Sequence, residues 1–163
     1  MSKSEKSFTL LELLIVIFIL SISLGTMVFA IAKMVNYSSY NKSKFVAVYL
    51  AQEGIELVRN SRDNNWLSGQ NWLQGFPDCP SSSPAIWCEI DYNDNVLTIN
   101  NRYLKTDPVG RYFNYDTGSN TKYKRKIYLD KGTNQILATA EVFWFDNLGD
   151  HNYVLKEKLY NWK

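Results

Sequence analysis

Apolar and polar positions are spread unevenly along the chain. Residues 13–32 carry no formal charge, and only Ser21, Ser23, Gly25 and Thr26 interrupt their apolar side chains. At a helical rise of 1.5 Å per residue such a run spans about 30 Å, the hydrocarbon thickness of a bilayer. A membrane-crossing helix is therefore predicted. The apolar core of an ordinary secretory signal is shorter, about 7–15 residues, and ends at a small-residue cleavage site.

Beyond Lys33 the pattern becomes amphipathic. Val48, Ala51, Ile55 and Val58 recur at helical spacing, and Leu50 and Leu57 widen the stripe. A helix over 34–63 with one face against a sheet is predicted. Gly54 inside it costs about 1 kcal/mol relative to Ala, which close packing against a strand or another subunit would explain. Glu56 with Arg59, and Arg59 with Asp63, have the spacing of helical ion pairs worth a few tenths of a kcal/mol each.

Residues 64–84 are punctuated by Gly69, Gly75, Pro77, Pro80 and a serine run, and read as a long connection held by Trp66 and Trp72. Strand candidates follow at 86–92, 96–99, 123–129, 136–145 and 153–160. In 136–145, Ala138, Ala140, Val142 and Trp144 alternate with Leu137, Thr139, Glu141, Phe143 and Phe145. A turn over 146–150 leads to a last strand with Tyr153, Leu155 and Leu159 on one face. A three-stranded antiparallel meander is the economical arrangement. The predicted class is α+β, a long N-terminal helix (membrane half plus amphipathic half) packed on a C-terminal antiparallel sheet.

Length and charge narrow this picture. A chain of 163 residues holds one globular domain beside its apolar segment, and a net charge of +2 selects no nucleic-acid partner by itself. Lys3 and Lys6 ahead of the apolar run favour a cytoplasmic N-terminus, which sends the chain beyond about Lys33 across the membrane. There Cys79 and Cys88, nine positions apart, are a candidate disulfide worth roughly 2–3 kcal/mol, with two free thiols as the alternative. No CxxC pair or histidine cluster offers a metal site, and no cofactor is expected.

A plain anchor leaves Glu12 unexplained, because a carboxylate in lipid costs about 2.5–3.5 kcal/mol at the helix centre and less near its end. The segment Ser7-Phe8-Thr9-Leu10-Leu11-Glu12-Leu13-Leu14, behind a lysine-bearing leader, resembles the type IV prepilin processing motif. That resemblance implies a leader at 1–7, cleavage by a membrane prepilin peptidase between Ser7 and Phe8, and methylation of the new amino group. Ser7 stands where the family normally has Gly; it is small enough to be tolerated, and the departure puts efficient cleavage at risk, with slow processing or none as the alternatives. The resemblance also implies that Glu12 pairs with the cationic N-terminus of a neighbouring subunit, a sensible use of one buried charge.

The run 51–63 resembles minor pilins of the pilus-modification type and type II secretion pseudopilins. The ending Val142-Phe143-Trp144, Gly149 and Leu159-Tyr160-Asn161-Trp162 resembles the same group. What this implies is a structural subunit rather than an enzyme: 8–33 for membrane and assembly, 34–63 amphipathic, and 64–163 a loop region and sheet displayed in an extracellular or periplasmic filament. The expected partners are other pilin subunits, the peptidase and the membrane, with no small-molecule substrate.

The remaining candidates for chemistry have plainer readings. His151, the only histidine, lies among Gly149, Asp150 and Asn152 with no GxSxG nucleophile motif, and a solvated turn residue is expected. Asp91-Tyr92-Asn93-Asp94-Asn95 resembles the start of a calcium loop, yet Val96 and Arg102 replace the required Gly and Glu, which favours a hairpin turn. Lys122, Lys124, Arg125 and Lys126, interleaved with Tyr123, could touch DNA phosphates in a competence or adhesion tip subunit; the alternative is the solvated face of an edge strand. Eleven Tyr and five Trp suit a sugar-binding or subunit-binding surface as well as a core.

Overall fold

The computed structural model describes residues 9–83, 85–94, 97–107 and 109–162. Among the described residues one helix, α1 (Leu10–Leu67), precedes eight strands: β1 (Cys88–Glu89), β2 (Thr98–Ile99), β3 (Lys105–Thr106), β4 (Phe113–Asn114), β5 (Ser119–Asn120), β6 (Tyr123–Lys131), β7 (Gln135–Asp146) and β8 (Gly149–Tyr160). The chain divides into two compact units, 1–39 and 40–163, and α1 contributes to both. The architecture is α+β, a long helix followed by an antiparallel sheet.

Both ends of α1 are closed by local chemistry. Thr9 caps the start: its Oγ1 accepts the Glu12 N–H at 3.3 Å and its carbonyl accepts the Leu13 N–H at 3.2 Å. At the other end Gly69, with φ of 68°, lets the chain reverse. The Gln70 N–H then reaches the Asn65 carbonyl at 2.9 Å and the Gly69 N–H reaches Trp66 at 3.1 Å. This is a Schellman stop, in which glycine adopts the left-handed conformation that a side chain would resist. The helix thus runs four residues past the predicted 63.

In the globular unit five strands make one antiparallel sheet, in the order β2-β1-β6-β7-β8, and β4-β3-β5 make a second, smaller one. The predicted meander is β6-β7-β8, with Ile127 opposite Ala140 and Ala140 opposite Leu155. Its inward face carries the expected alternation: Ala138, Ala140, Val142 and Trp144 are buried, and on β8 Leu159 is buried and Tyr153 and Leu155 half-buried. The helix stripe is rotated slightly from the expected one. Ala47, Leu50, Ala51, Gly54, Ile55 and Val58 are buried, and Val48 and Leu57 sit at the margins.

Gly54 shows why the small residues matter. A Cβ there would lie 2.9 Å from Ile127 Cδ1 and 3.0 Å from Arg125 Cδ, inside van der Waals contact. The approach of helix to β6 therefore requires glycine, which outweighs its cost in helix propensity. The connection after α1 is also fixed to β6. The Leu129 N–H donates to the Cys79 carbonyl at 2.7 Å, Ser81 donates to Asp130, and Lys131 Nζ reaches Asp78 at 2.8 Å. Cys79 is bonded to Cys88 on β1, with Cα atoms 6.1 Å apart.

Candidate functional site

The N-terminal stretch of α1 is built as an element for an apolar surrounding. From Leu10 to Ile31 its large side chains stand exposed, Phe18 at 63% and Phe29 at 65% among them. It is long and apolar enough to cross a membrane. Three hydroxyls in this run are satisfied by the helix itself: Ser21 donates to the Ile17 carbonyl at 2.8 Å, Ser23 to Ile19 at 2.8 Å, and Thr26 to Ser23 at 2.9 Å. With no free polar hydrogen left to solvate, each costs little in lipid. Nothing lies within 4 Å of where a Gly25 Cβ would be.

Glu12 occupies the third position of the helix whose cap is Thr9. That placement gives the carboxylate a local role, because the amino end of a helix carries partial positive charge. Thr9 and Glu12 have the T-x-x-E spacing of a capping box, of which the Thr9 half is formed. This spacing was a legible signal for the helix start that the apolar pattern alone does not supply. Glu12 is solvent-exposed in the single chain. Ser7 and Phe8 lie outside the described residues.

The basic run of β6 is divided by the strand's alternation. Arg125 turns into the core and is the largest fully buried side chain among the described residues. Its guanidinium donates to the Leu50 carbonyl at 3.1 Å and the Ile90 carbonyl at 2.7 Å, and lies 3.3 Å from Glu53 Oε2. It joins α1 to the sheet and has no surface to offer a phosphate, which corrects its expected place beside Lys122, Lys124 and Lys126. The alternative reading also changes, since β6 lies inside the sheet, between β1 and β7, and is not an edge. Gly54 is what admits the Arg125 stem to the helix backbone. Burial pushes the Glu53 carboxyl above the usual carboxylate range, against the pull of Arg125.

The three lysines have separate surroundings. Lys122 Nζ donates to Ser43 Oγ at 2.6 Å, and Lys124 Nζ reaches Asn101 at 2.9 Å and lies 4.4 Å from the Tyr103 ring centre. Lys126 is buried, with its ammonium 4.1 Å from the Trp87 ring and 4.8 Å from Tyr128. Burial lowers its pKa. Aromatic faces hold these cations in place of a single exposed basic stripe.

Other expected features fall elsewhere. His151 is a strand residue of β8, not a solvated turn: its ring packs 4.9 Å from Tyr40 and 5.3 Å from Trp144, and its Nε2 lies 3.0 Å from Asp146 Oδ1. The Leu148 N–H, and after it His151, hold the Asp146 carboxyl below its ordinary range. Arg59 pairs with Glu56 as expected, but its second partner is Glu157 on β8, because Asp63 is taken by Arg62 at 2.8 Å. The Asp91 carboxylate accepts the Tyr92 N–H at 2.7 Å and the Tyr115 N–H at 2.9 Å, fastening the second sheet. Asn95 and Val96 lie outside the described residues. Among the described residues no group of three or more His, Cys, Asp or Glu could hold a metal ion.

A family model described as the prokaryotic N-terminal methylation motif matches residues 2–28. The match takes in Thr9, Glu12 and most of the apolar run and stops at Val28, so the globular unit lies outside it. No curated protein and no solved structure matched the chain.

Proposed function

We propose that this chain, a type IV pilin-like protein by its N-terminal methylation motif, is a minor pilin or pseudopilin that serves as a structural subunit of a filament. It enters the membrane as a prepilin with residues 1–7 as leader and its N-terminus in the cytoplasm. Cleavage before Phe8 and methylation of the new amino group follow. The segment 8–33 then acts first as anchor and later as the packing element of the filament. Residues 34–63 join it to the globular part at 64–163, displayed outside the cytoplasm.

The observation that carries this reading is Glu12 at a capped helix start, directly ahead of an apolar run whose hydroxyls are internally bonded, all inside the methylation motif. Anchoring alone needs the apolar run. A carboxylate at its head is better explained by a cation that arrives with a second subunit, the methylated amino group at Phe8, since two opposite charges share the cost of leaving water. A bonded Cys79–Cys88 pair suits an oxidising compartment outside the cytoplasm. The residues of β6 that would make a DNA-binding stripe are divided between core and aromatic contacts, which favours scaffold over DNA capture.

The test is Glu12→Ala in cells that assemble the filament. Membrane insertion should match the unmodified chain, because a charge is removed from an apolar helix, while recovery of the variant in sheared filaments falls to background. Normal incorporation of Glu12→Ala would sink the assembly role.

A further inference from the structure

Where α1 ends, Trp66 and Trp162 stand at right angles, with ring centres 5.3 Å apart. Two hollows of the globular unit meet at this corner. One, of about 410 Å³, is lined by Asp63, Trp66, Leu67 and Trp162. The other, of about 380 Å³, shares Trp66 and is also lined by Gln70, Asn71 and Asn161. Each volume falls within the roughly 300–1,000 Å³ of small-molecule sites. Trp162 is 76% exposed and Leu67 83% exposed, so the corner presents an indole face and an aliphatic side chain to solvent.

Charge selects among ligands. Arg62 lies 2.8 Å from Asp63 Oδ1, and its guanidinium sits 4.6 Å over the Trp66 ring. A cationic ligand would meet the like charge of the Arg62 guanidinium, which covers the Trp66 ring and already neutralises Asp63 through Oδ1. An anionic ligand would meet the Asp63 carboxylate and, among the described residues lining either hollow, no lysine or arginine. A purely apolar ligand would strip water from the amides of Gln70 and Asn161 without replacing their hydrogen bonds, which opposes its binding. A neutral molecule with one apolar face and a rim of hydroxyls satisfies every part.

We infer that the Trp66–Trp162 corner binds a neutral oligosaccharide. The C–H face of one sugar ring lies on the exposed Trp162 indole. Its hydroxyl rim meets Asp63, and the amides of Gln70 and Asn161 serve a neighbouring ring in the adjoining hollow. Planar amides and a carboxylate offer paired donors and acceptors at the spacing of vicinal hydroxyls. Asn161 is already oriented, since its side-chain oxygen accepts the Trp66 Nε1–H at 3.3 Å and leaves the NH₂ for a ligand. The site lies wholly within residues 40–163, so it stands or falls independently of filament assembly.

The experiment titrates the full chain, in a detergent without a sugar headgroup, with chitotetraose, maltotetraose and cellotetraose. Calorimetry and tryptophan fluorescence report binding. At least one tetrasaccharide should bind. Trp162→Ala should weaken it about tenfold or more, and Gln70→Ala about two- to fivefold, both with unfolding curves matching the unmodified chain because both side chains are exposed. Choline should not compete. Failure of all three sugars to bind, unaltered affinity in Trp162→Ala, or displacement by choline would each overturn the assignment.

Discussion

Residues 13–31 and residues 43–62 belong to one helix and meet opposite demands. In the first stretch large aliphatic and aromatic side chains face outward all round, and the polar groups among them bond back to the helix. In the second, the inward face is built from Ser43, Ala47, Ala51 and Gly54 beside Leu50, Ile55 and Val58, and the outward face mixes Lys44, Gln52, Glu56 and Asn60 with exposed Phe45 and Tyr49. Bulk serves a helix that must meet lipid or other helices. Smallness serves one that must lie close to a sheet. The same secondary structure is thus specified by two solvents, one supplied by the chain itself and one supplied from outside.

Substitutions that act on one stretch and spare the other test this division. The largest effect on the globular unit is expected from Arg125→Ala, which leaves the Leu50 and Ile90 carbonyls without their donor and Glu53 without its cation. A loss of about 3 kcal/mol or more is predicted in urea unfolding of the globular unit. A change under about 1 kcal/mol would show that the helix is held to the sheet by apolar packing alone.

Leu20→Arg makes the converse change. A charge near the centre of the apolar run should cost about 2.5–3.5 kcal/mol on an insertion scale and shift much of the protein out of the membrane fraction, with no change in urea unfolding of the globular unit. Full membrane retention would remove the distinction between the stretches. Next in size is Gly54→Val, whose branched side chain would collide with Ile127 and the Arg125 stem. It should lower stability by about 1–3 kcal/mol, whereas the equivalent Gly25→Val, placed in open space, should leave the unfolding of the globular unit unchanged.

Much of this was legible because it is periodic. The apolar run, the alternation of Ala138, Ala140, Val142 and Trp144, and the final strand are patterns of local order, and they located the helix and the meander. Features that depend on distant partners were not legible. Arg125 reads as surface charge in a basic run, and its burial follows from two backbone carbonyls, one in α1 and one just after β1, that only the fold brings together. His151 reads as a turn residue because Gly149 and Asn152 flank it; its ring contact with Tyr40 is long-range, and its contact with Trp144 depends on the β7–β8 register that places the two opposite each other. The second sheet rests on two-residue strands held by buried carboxylates such as Asp91 and Asp107, too short to leave a period. Two local signals were present all the same: Thr9 and Glu12 marked the helix start, and Gly69 marked its end.

At the N-terminus the contrast becomes chemical, since an anchor keeps its leader and an assembly element loses it. Mass spectrometry of the protein purified from the membrane of cells with an active prepilin peptidase decides between them. A mature chain beginning at N-methylated Phe8, enriched in sheared filaments, is predicted. A stable chain that retains residues 1–7 and is absent from filaments would contradict the account.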